Sequence, residues 1–386
     1  MMPHTRRRMR RFKMRRHRHK SVNNTNFVFE WTTDGASQSV QLPLRSTGTY
    51  NFSIDWGDGS NDTITAWDDA AKTHVYTVAG TYTCTLIGVC DGWSFGSAGV
   101  STTIRDRLSL ISNWGSLKLG QDFRHFEACS NFDCIASDSP VCNTTTLFNS
   151  FVRCFKLTQL GATWDTSSVT TLETTFQDCS IFNGAIDNWN VSNVTTLKGT
   201  FERCPLFNKQ LDAWNVSSVT TLESTFRDAT AFNGKIESWP LTSLTSLGRT
   251  FQDAASFNSD ISGWDVSNVG TLFHTFNGAT AFNQPIGAWN TVGMTAFTFP
   301  LIGTSFDHSL ANWNVEGING IGLANLLDSP LSTANYDATL ISWAAQAVNS
   351  SVTLGVGASK YSPAAASARD FLVTTKSWTI NDGGPI

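Results

Sequence analysis

The sequence predicts an α+β protein, an N-terminal β-sandwich followed by a solenoid of short strands and short helices with a C-terminal cap. Three observations predict it. Tryptophan recurs at 164, 189, 214, 239, 264 and 289, a step of 25 that continues at 313. Phenylalanine keeps the same step at 126, 151, 176, 201, 226, 251 and 276, and a second Phe, mostly followed by Asn, recurs at 182, 207, 232, 257 and 282. Upstream, apolar residues alternate with polar ones, as in Phe27, Phe29, Trp31 and again in Tyr50, Phe52, Ile54. A fixed step over many units marks a stacked array, and alternation marks half-buried strands.

The 386 residues are poor in charge, at 15%, and rich in Phe (26), Trp (14) and Gly (29). That is enough apolar surface for an extended core. No run approaches the roughly 20 apolar residues that span a bilayer. The net charge of −4 conceals an asymmetry. Arg6, Arg7, Arg8, Arg10, Arg11, Lys13, Arg15, Arg16, Arg18 and Lys20 crowd the first 20 residues without an acid. Removing those ten leaves 17 basic against 31 acidic residues, a net of −14 over 21–386. Residues 1–25 are therefore expected to be a disordered basic arm that binds nucleic acid or another polyanion by neutralising phosphates. A solubilising or targeting tail is the blander expectation. The basic run lacks the apolar segment of a secretory signal.

From residue 26 to 110 strands are expected, with Asp55-Trp56-Gly57-Asp58-Gly59-Ser60 as a tight turn whose aspartates bond their own backbone. Asp55 and Asp58 as cation ligands are the weaker expectation. The later His74-Val75-Tyr76 and Gly80-Thr81-Tyr82-Thr83-Cys84-Thr85-Leu86 complete a pattern that resembles PKD-type β-sandwich domains, which implies a spacer or adhesive module.

Residues 111–328 hold the array. Trp189 and Val191, two apart, suit a short strand. Val194, Leu197, Phe201 and Cys204, at i, i+3, i+7 and i+10, suit one helical face with Ser192 or Asn193 as N-cap. The pattern W-[DN]-V-S-x-V-T-x-L-x-x-x-F-x-x-[CA]-x-x-F-N over roughly 140–316 is similar to the BspA-like surface-protein repeat, a leucine-rich-repeat relative. Where that family typically carries Met in the helix, this chain has Thr200 or Thr225, which implies a slightly leaner core. The Asn after the second Phe is expected to bond loop backbone or its counterpart in the next repeat. Residues 329–386 resemble the tail found after such repeats and are expected to cap the array.

Of eight cysteines, 129, 154, 179 and 204 fall on the 25-residue step, where Ala229, Ala254 and Ala279 follow. A slot filled by Cys or Ala asks for a small apolar side chain. Cys84 with Cys90 and Cys134 with Cys142 stay open as disulfides. No metalloprotease, nucleophile-elbow, phosphate-loop or C-x-x-C pattern is present. Asp178, Asp228 and Asp253 recur at one step but alternate with Arg203 and Arg227, which suits a solvated face rather than a metal column.

The expected function is thus a non-enzymatic surface or adhesion-type protein that engages a protein or glycan, without cofactor, metal or catalytic residues. The alternative is a virion structural or attachment protein whose arm contacts packaged nucleic acid. The corresponding locations are a cell surface or a virion. Variable positions lie all round each repeat, which leaves the binding face, the ligand and the oligomeric state open.

Overall fold

The computed structural model describes residues 25–161, 164–328 and 330–386. The N-terminal strands are β1 (Phe27–Thr33), β2 (Gln38–Gln41), β3 (Leu44–Asp55), β4 (Asn61–Ile64), β5 (Thr73–Tyr76) and β6 (Gly80–Trp93). A short helix α1 (Thr102–Arg105) leads to β7 (Leu108–Asn113), and β8 (Asp133–Cys134) follows. They form a six-stranded sheet in the order β4-β3-β6-β1-β7-β8 and a two-stranded ribbon of β2 with β5. All neighbours in the large sheet are antiparallel except β7 and β8. Alternation sets the buried face: Phe27, Phe29 and Trp31 of β1 pack with Trp93 and Phe95 at ring distances of 4.8–6.2 Å.

The repeats depart from expectation. The described residues of 144–316 contain neither an α-helix nor a strand of more than one residue; their regular features are turns, single parallel bridges and one 3-10 turn, Ile286–Ala288. The expected α+β class and its solenoid of short strands and short helices are therefore corrected. The regular structure is mostly sheet, in several separate sheets, and the two N-terminal sheets are too unequal for the expected sandwich.

The helical expectation fails because each repeat holds two left-handed residues four apart. Thr174 and Asp178 have φ of 52° and 63°, Gly199 and Arg203 59° and 56°, Ser224 and Asp228 55° and 57°. A left-handed residue cannot continue a right-handed helix. The backbone instead divides its donors. The N–H groups of Leu197, Gly199, Phe201 and Arg203 donate to Thr221, Glu223, Thr225 and Arg227 of the next repeat at 2.8–3.2 Å. Those of Thr200, Glu202 and Cys204 close three-residue turns onto Leu197, Gly199 and Phe201. With the Lys198 N–H donating to Thr196 Oγ1 at 3.1 Å, every donor on this stretch is used without helix or continuous strand, as buried backbone requires.

Side chains stack in the same register. Phe151, Phe176, Phe201, Phe226, Phe251 and Phe276 form a near-parallel column at 5.5–5.7 Å. The second phenylalanines stack beside it, Phe201 on Phe207 at 3.9 Å for example. The ring nitrogens of Trp214, Trp239, Trp264 and Trp289 each reach back 28 residues to a carbonyl, Trp214 to Ile186 and Trp239 to Leu211 for example. Thr200 and Thr225 do more than fill the space of a Met. Thr225 Oγ1 donates within 2.8–2.9 Å of both the Leu222 and Leu197 carbonyls, and Thr200 does the same one repeat earlier.

After the repeats come β9 (Leu323–Leu327), α2 (Thr333–Ala344), β10 (Thr353–Val356), α3 (Ala366–Asp370), a π turn at Phe371–Thr375 and β11 (Thr379–Asn381). The three strands make a parallel sheet, β11-β10-β9. Arg369 grips Asp382 through Nε and Nη2 at 2.8 and 3.1 Å, and Tyr336 donates to the same carboxylate at 2.7 Å.

All eight cysteines are buried and free. Cys84 and Cys90 lie along one strand, opposite Phe29 and Tyr50, so the first open pairing does not form. Cys134 lies in β8 and is equally unpaired with Cys142. Burial pushes the Cys84 and Cys134 thiols up to about 12, and the stepped Cys179 and Cys204 donate to the Phe151 and Phe176 carbonyls.

Candidate functional site

The basic residues Arg6, Arg7, Arg8, Arg10, Arg11, Lys13, Arg15, Arg16, Arg18 and Lys20 lie outside the described residues. Of the other sequence candidates, the Asp55–Ser60 turn is built for itself. Asp55 accepts from the Gly57 N–H, Asp58 accepts from the Ser60 N–H, and Asp58 Oδ2 meets His74 Nε2 at 2.9 Å. His74 stacks on Trp56 at 4.7 Å. Burial opposes ionisation of Asp58, but the bonds from Ser60 and His74 prevail and hold its carboxyl down to about 2. Among the described residues no cluster of His, Cys, Asp and Glu could hold a metal ion.

The repeated polar residues are consumed by the fold. The Asn208 N–H donates to Asn183 Oδ1, and the relation recurs from Asn233 to Asn208, Asn258 to Asn233 and Asn283 to Asn258 at 2.8–3.1 Å. The ladder continues when Asp307 bonds Asn283 and Ser332 bonds Asp307. Asp165, Asn190 and Asn215 each close a turn by accepting from the N–H two residues on. The exposed threonines 170, 195, 220 and 245 donate to the carbonyl 25 residues earlier. None of these columns is left to recognise a ligand.

What remains is the face made by the turn that bears the two left-handed residues, where side chains differ from repeat to repeat. Its centre is ionic. Arg203 Nη2 meets Asp178 Oδ2 at 3.0 Å and Nη1 meets Glu202 Oε1 at 2.6 Å, while Arg227 Nη1 meets Glu202 at 3.2 Å and Gln177 donates to it at 2.6 Å. Burial, against the pull of Arg227, raises the Asp228 carboxyl. Asp178, Asp228, Arg203 and Arg227 thus form a half-buried network rather than the solvated face expected from their alternation.

Toward the C-terminal end the face becomes aromatic. The Arg249 guanidinium lies 4.8 Å from the Phe273 ring centre, His274 meets Phe273 edge-on at 4.4 Å, and Phe299 stacks on His274 at 4.9 Å. Burial, then the nearby Arg249 charge, lowers the His274 imidazole. Toward the N-terminal end Phe123 and Phe148 pair at 6.0 Å, with Arg124 over Phe123. Sequence reasoning missed this face because its residue types do not repeat. The available signal was the aligned substitution of Glu223 by Gly248 and then Phe273 at one step. Arranged like this, guanidinium, carboxylate and aromatic groups can hold a partner.

No helix among the described residues is long and apolar enough to cross a membrane. No curated protein and no solved structure matches the chain. The matched part of the sequence lies in the repeats and does not include the strands at 26–110, so no match supports the PKD-type resemblance expected there. Residues 143–259 and 235–323 are similar to the family described as Mycoplasma protein of unknown function, DUF285, a domain found in BspA-like surface proteins.

Proposed function

We propose that the chain is a non-enzymatic, surface or adhesion-type binding protein that engages a protein or glycan through the variable turn face of its repeats. The observation that carries this reading is the division of labour among polar groups. The repeated ones bond repeat to repeat, whereas the variable turn face presents half-buried arginines, carboxylates and rings. Residues of this kind, Arg and aromatics above all, dominate binding energy at protein interfaces. The similarity to a domain found in BspA-like surface proteins supports it further.

The test is a screen of the full chain against displayed proteins and glycans, repeated with Arg227→Ala and Phe273→Ala. Binding that falls about tenfold or more in these variants supports the reading. Binding that ignores them, or substrate turnover without any partner, removes it.

A second reading rests on charge: ten basic residues and no acid in 1–20, against −14 over the remainder. In that reading the arm contacts packaged nucleic acid and the body decorates a particle. Deleting residues 1–20 should abolish salt-sensitive binding to DNA or RNA, since released counterions drive such binding. Unchanged binding sinks it.

A further inference from the structure

The hydrogen-bonded ladder that ties the repeats together is interrupted at one place. Bridges join Thr146 to Thr171, Thr171 to Thr196, Thr196 to Thr221 and Thr221 to Ser246, and another joins Thr271 to Ala296. Among the described residues no bridge joins Ser246 to Thr271. Two backbone bonds are missing with it. Leu222 and Leu272 donate to Ser246 and Ala296, but Leu247 has no such bond to Thr271; Thr245 and Thr295 donate to Thr220 and Gly270, but Gly270 has none to Thr245.

The residues explain the gap. At the step where 170, 195, 220 and 245 carry threonines whose hydroxyls also bond the previous repeat, residue 270 is glycine and contributes no hydroxyl. Two positions past the bridge, Glu223 is followed by Gly248, which removes a side chain from the same spot. The result is a cleft of about 300 Å³ lined by Glu223, Thr245, Ser246, Arg249, Thr271 and Phe273, together with Gly248.

The cleft carries an unspent cation. Arg153, Arg203 and Arg227 on the same face all pair with carboxylates. Arg249 forms no ion pair among the described residues, and its guanidinium lies on Phe273. The one acid in the lining, Glu223, is engaged by Lys198 at 3.1 Å. A stacked guanidinium keeps its edge free for a bidentate acceptor, and carboxylate geometry matches that edge.

We infer that the Gly248–Gly270 cleft is a subsite for a carboxylated sugar, a hexuronic or nonulosonic acid residue, with Arg249 receiving the carboxylate. The flat wall of Phe273 and its guanidinium faces a sugar ring, whose C–H groups are apolar. The Ser246 hydroxyl, which donates to none of its neighbours among the described residues, and the unpaired main-chain groups at the ladder gap meet its hydroxyls, and the volume suits one ring. This deepens the binding role proposed above and rests on it, with a narrower claim: the partner is a glycan, and its acidic residue sits here.

Saturation-transfer NMR on the full chain, with glucuronic acid and N-acetylneuraminic acid against glucose and a glutamate tripeptide as probes, tests it. The expected result is saturable transfer to at least one acidic sugar, about tenfold weaker binding for glucose and the peptide, and loss of about tenfold in Arg249→Gln. Gly270→Thr, whose added side chain enters open space, should restore the Thr245 bond, narrow the cleft and weaken binding without lowering the melting temperature. Lys360→Gln, exposed in the C-terminal region and outside the turn face, should bind like wild type. The basic arm is common to every variant, so a loss in Arg249→Gln or Gly270→Thr reports the cleft and not the arm. Equal binding of acidic and neutral sugars, preference for the peptide, or indifference to both Arg249→Gln and Gly270→Thr overturns the inference. Failure here together with face-dependent capture of another partner would leave the broader binding role standing.

Discussion

The N-terminal sheet and the repeats satisfy the same backbone requirement by different means. In the sheet, the seven residues of β1 and the 14 of β6 run beside one another, so donors pair in unbroken ladders and side chains alternate in and out. In the repeats, donors alternate instead: one reaches the next repeat and its neighbour closes a turn within its own. The sheet therefore depends on strand length, whereas a repeat depends on its neighbour and on two left-handed residues. The difference teaches that a core this apolar can be assembled with almost no continuous strand, provided side chains such as Trp, Thr and Asn complete the bonding.

The comparison yields its largest test at Trp239, which stacks between Trp214 and Trp264 at 6.4 and 6.1 Å and bonds the Leu211 carbonyl. Trp239→Ala should lower the unfolding free energy by about 3–5 kcal/mol in denaturant titrations. A loss below about 1 kcal/mol would show that the column packs loosely. Next, Thr225→Val keeps the shape but removes one donor from the Leu197 and Leu222 carbonyls, which keep those of Thr200 and Thr250, and should cost about 1 kcal/mol. The exposed Thr83 of β6 serves as the contrast, since Thr83→Val should change stability by no more than about 0.5 kcal/mol.

Gly199 gives a test that turns on sign. With φ of 59° it is left-handed, and an added Cβ would lie 3.1 Å from Thr174 Cγ2. Gly199→Ala should therefore destabilise by about 1 kcal/mol or more. Were this stretch a helix, the same change would stabilise by about 1 kcal/mol. The smallest effect concerns the sheet region and acid. The folded Asp58 carboxyl titrates at about 2, below the usual value of roughly 3.9. Its contribution is complete above the unfolded value and is lost as pH falls from about 4 toward 2. Asp58→Asn should lower stability modestly at neutral pH, where that contribution is complete, and flatten the acid limb of a stability-against-pH curve over that window.

The strands were legible because alternation is a property of each segment alone: Phe27, Phe29 and Trp31 announce a buried face whatever follows. The 25-residue register was equally plain, since stacked rings demand identical spacing. The local conformation within a repeat was not. Val194, Leu197, Phe201 and Cys204 have helical spacing, yet consecutive three-residue turns bring the same positions inward. The distinguishing residues were those at the left-handed positions, where Asn149, Gly199, Gly278 and Gly303 stand among side chains of other kinds. The cleft lay deeper still, because a missing threonine at 270 has meaning only once the bonds made by Thr170, Thr195, Thr220 and Thr245 are known.

The Asn rungs that run from Asn183 through Asn283 and pass through Asp307 to Ser332 carry a consequence for inheritance. Every rung presents the same acceptor to whatever follows it. A duplication or loss of a whole 25-residue unit therefore hands the C-terminal region an unchanged docking edge, and the 24-residue step from Asn283 to Asp307 marks where that edge is passed on. Lineages carrying this chain are free to lengthen or shorten it in whole steps and to redraw the turn face unit by unit, without renegotiating how the molecule ends.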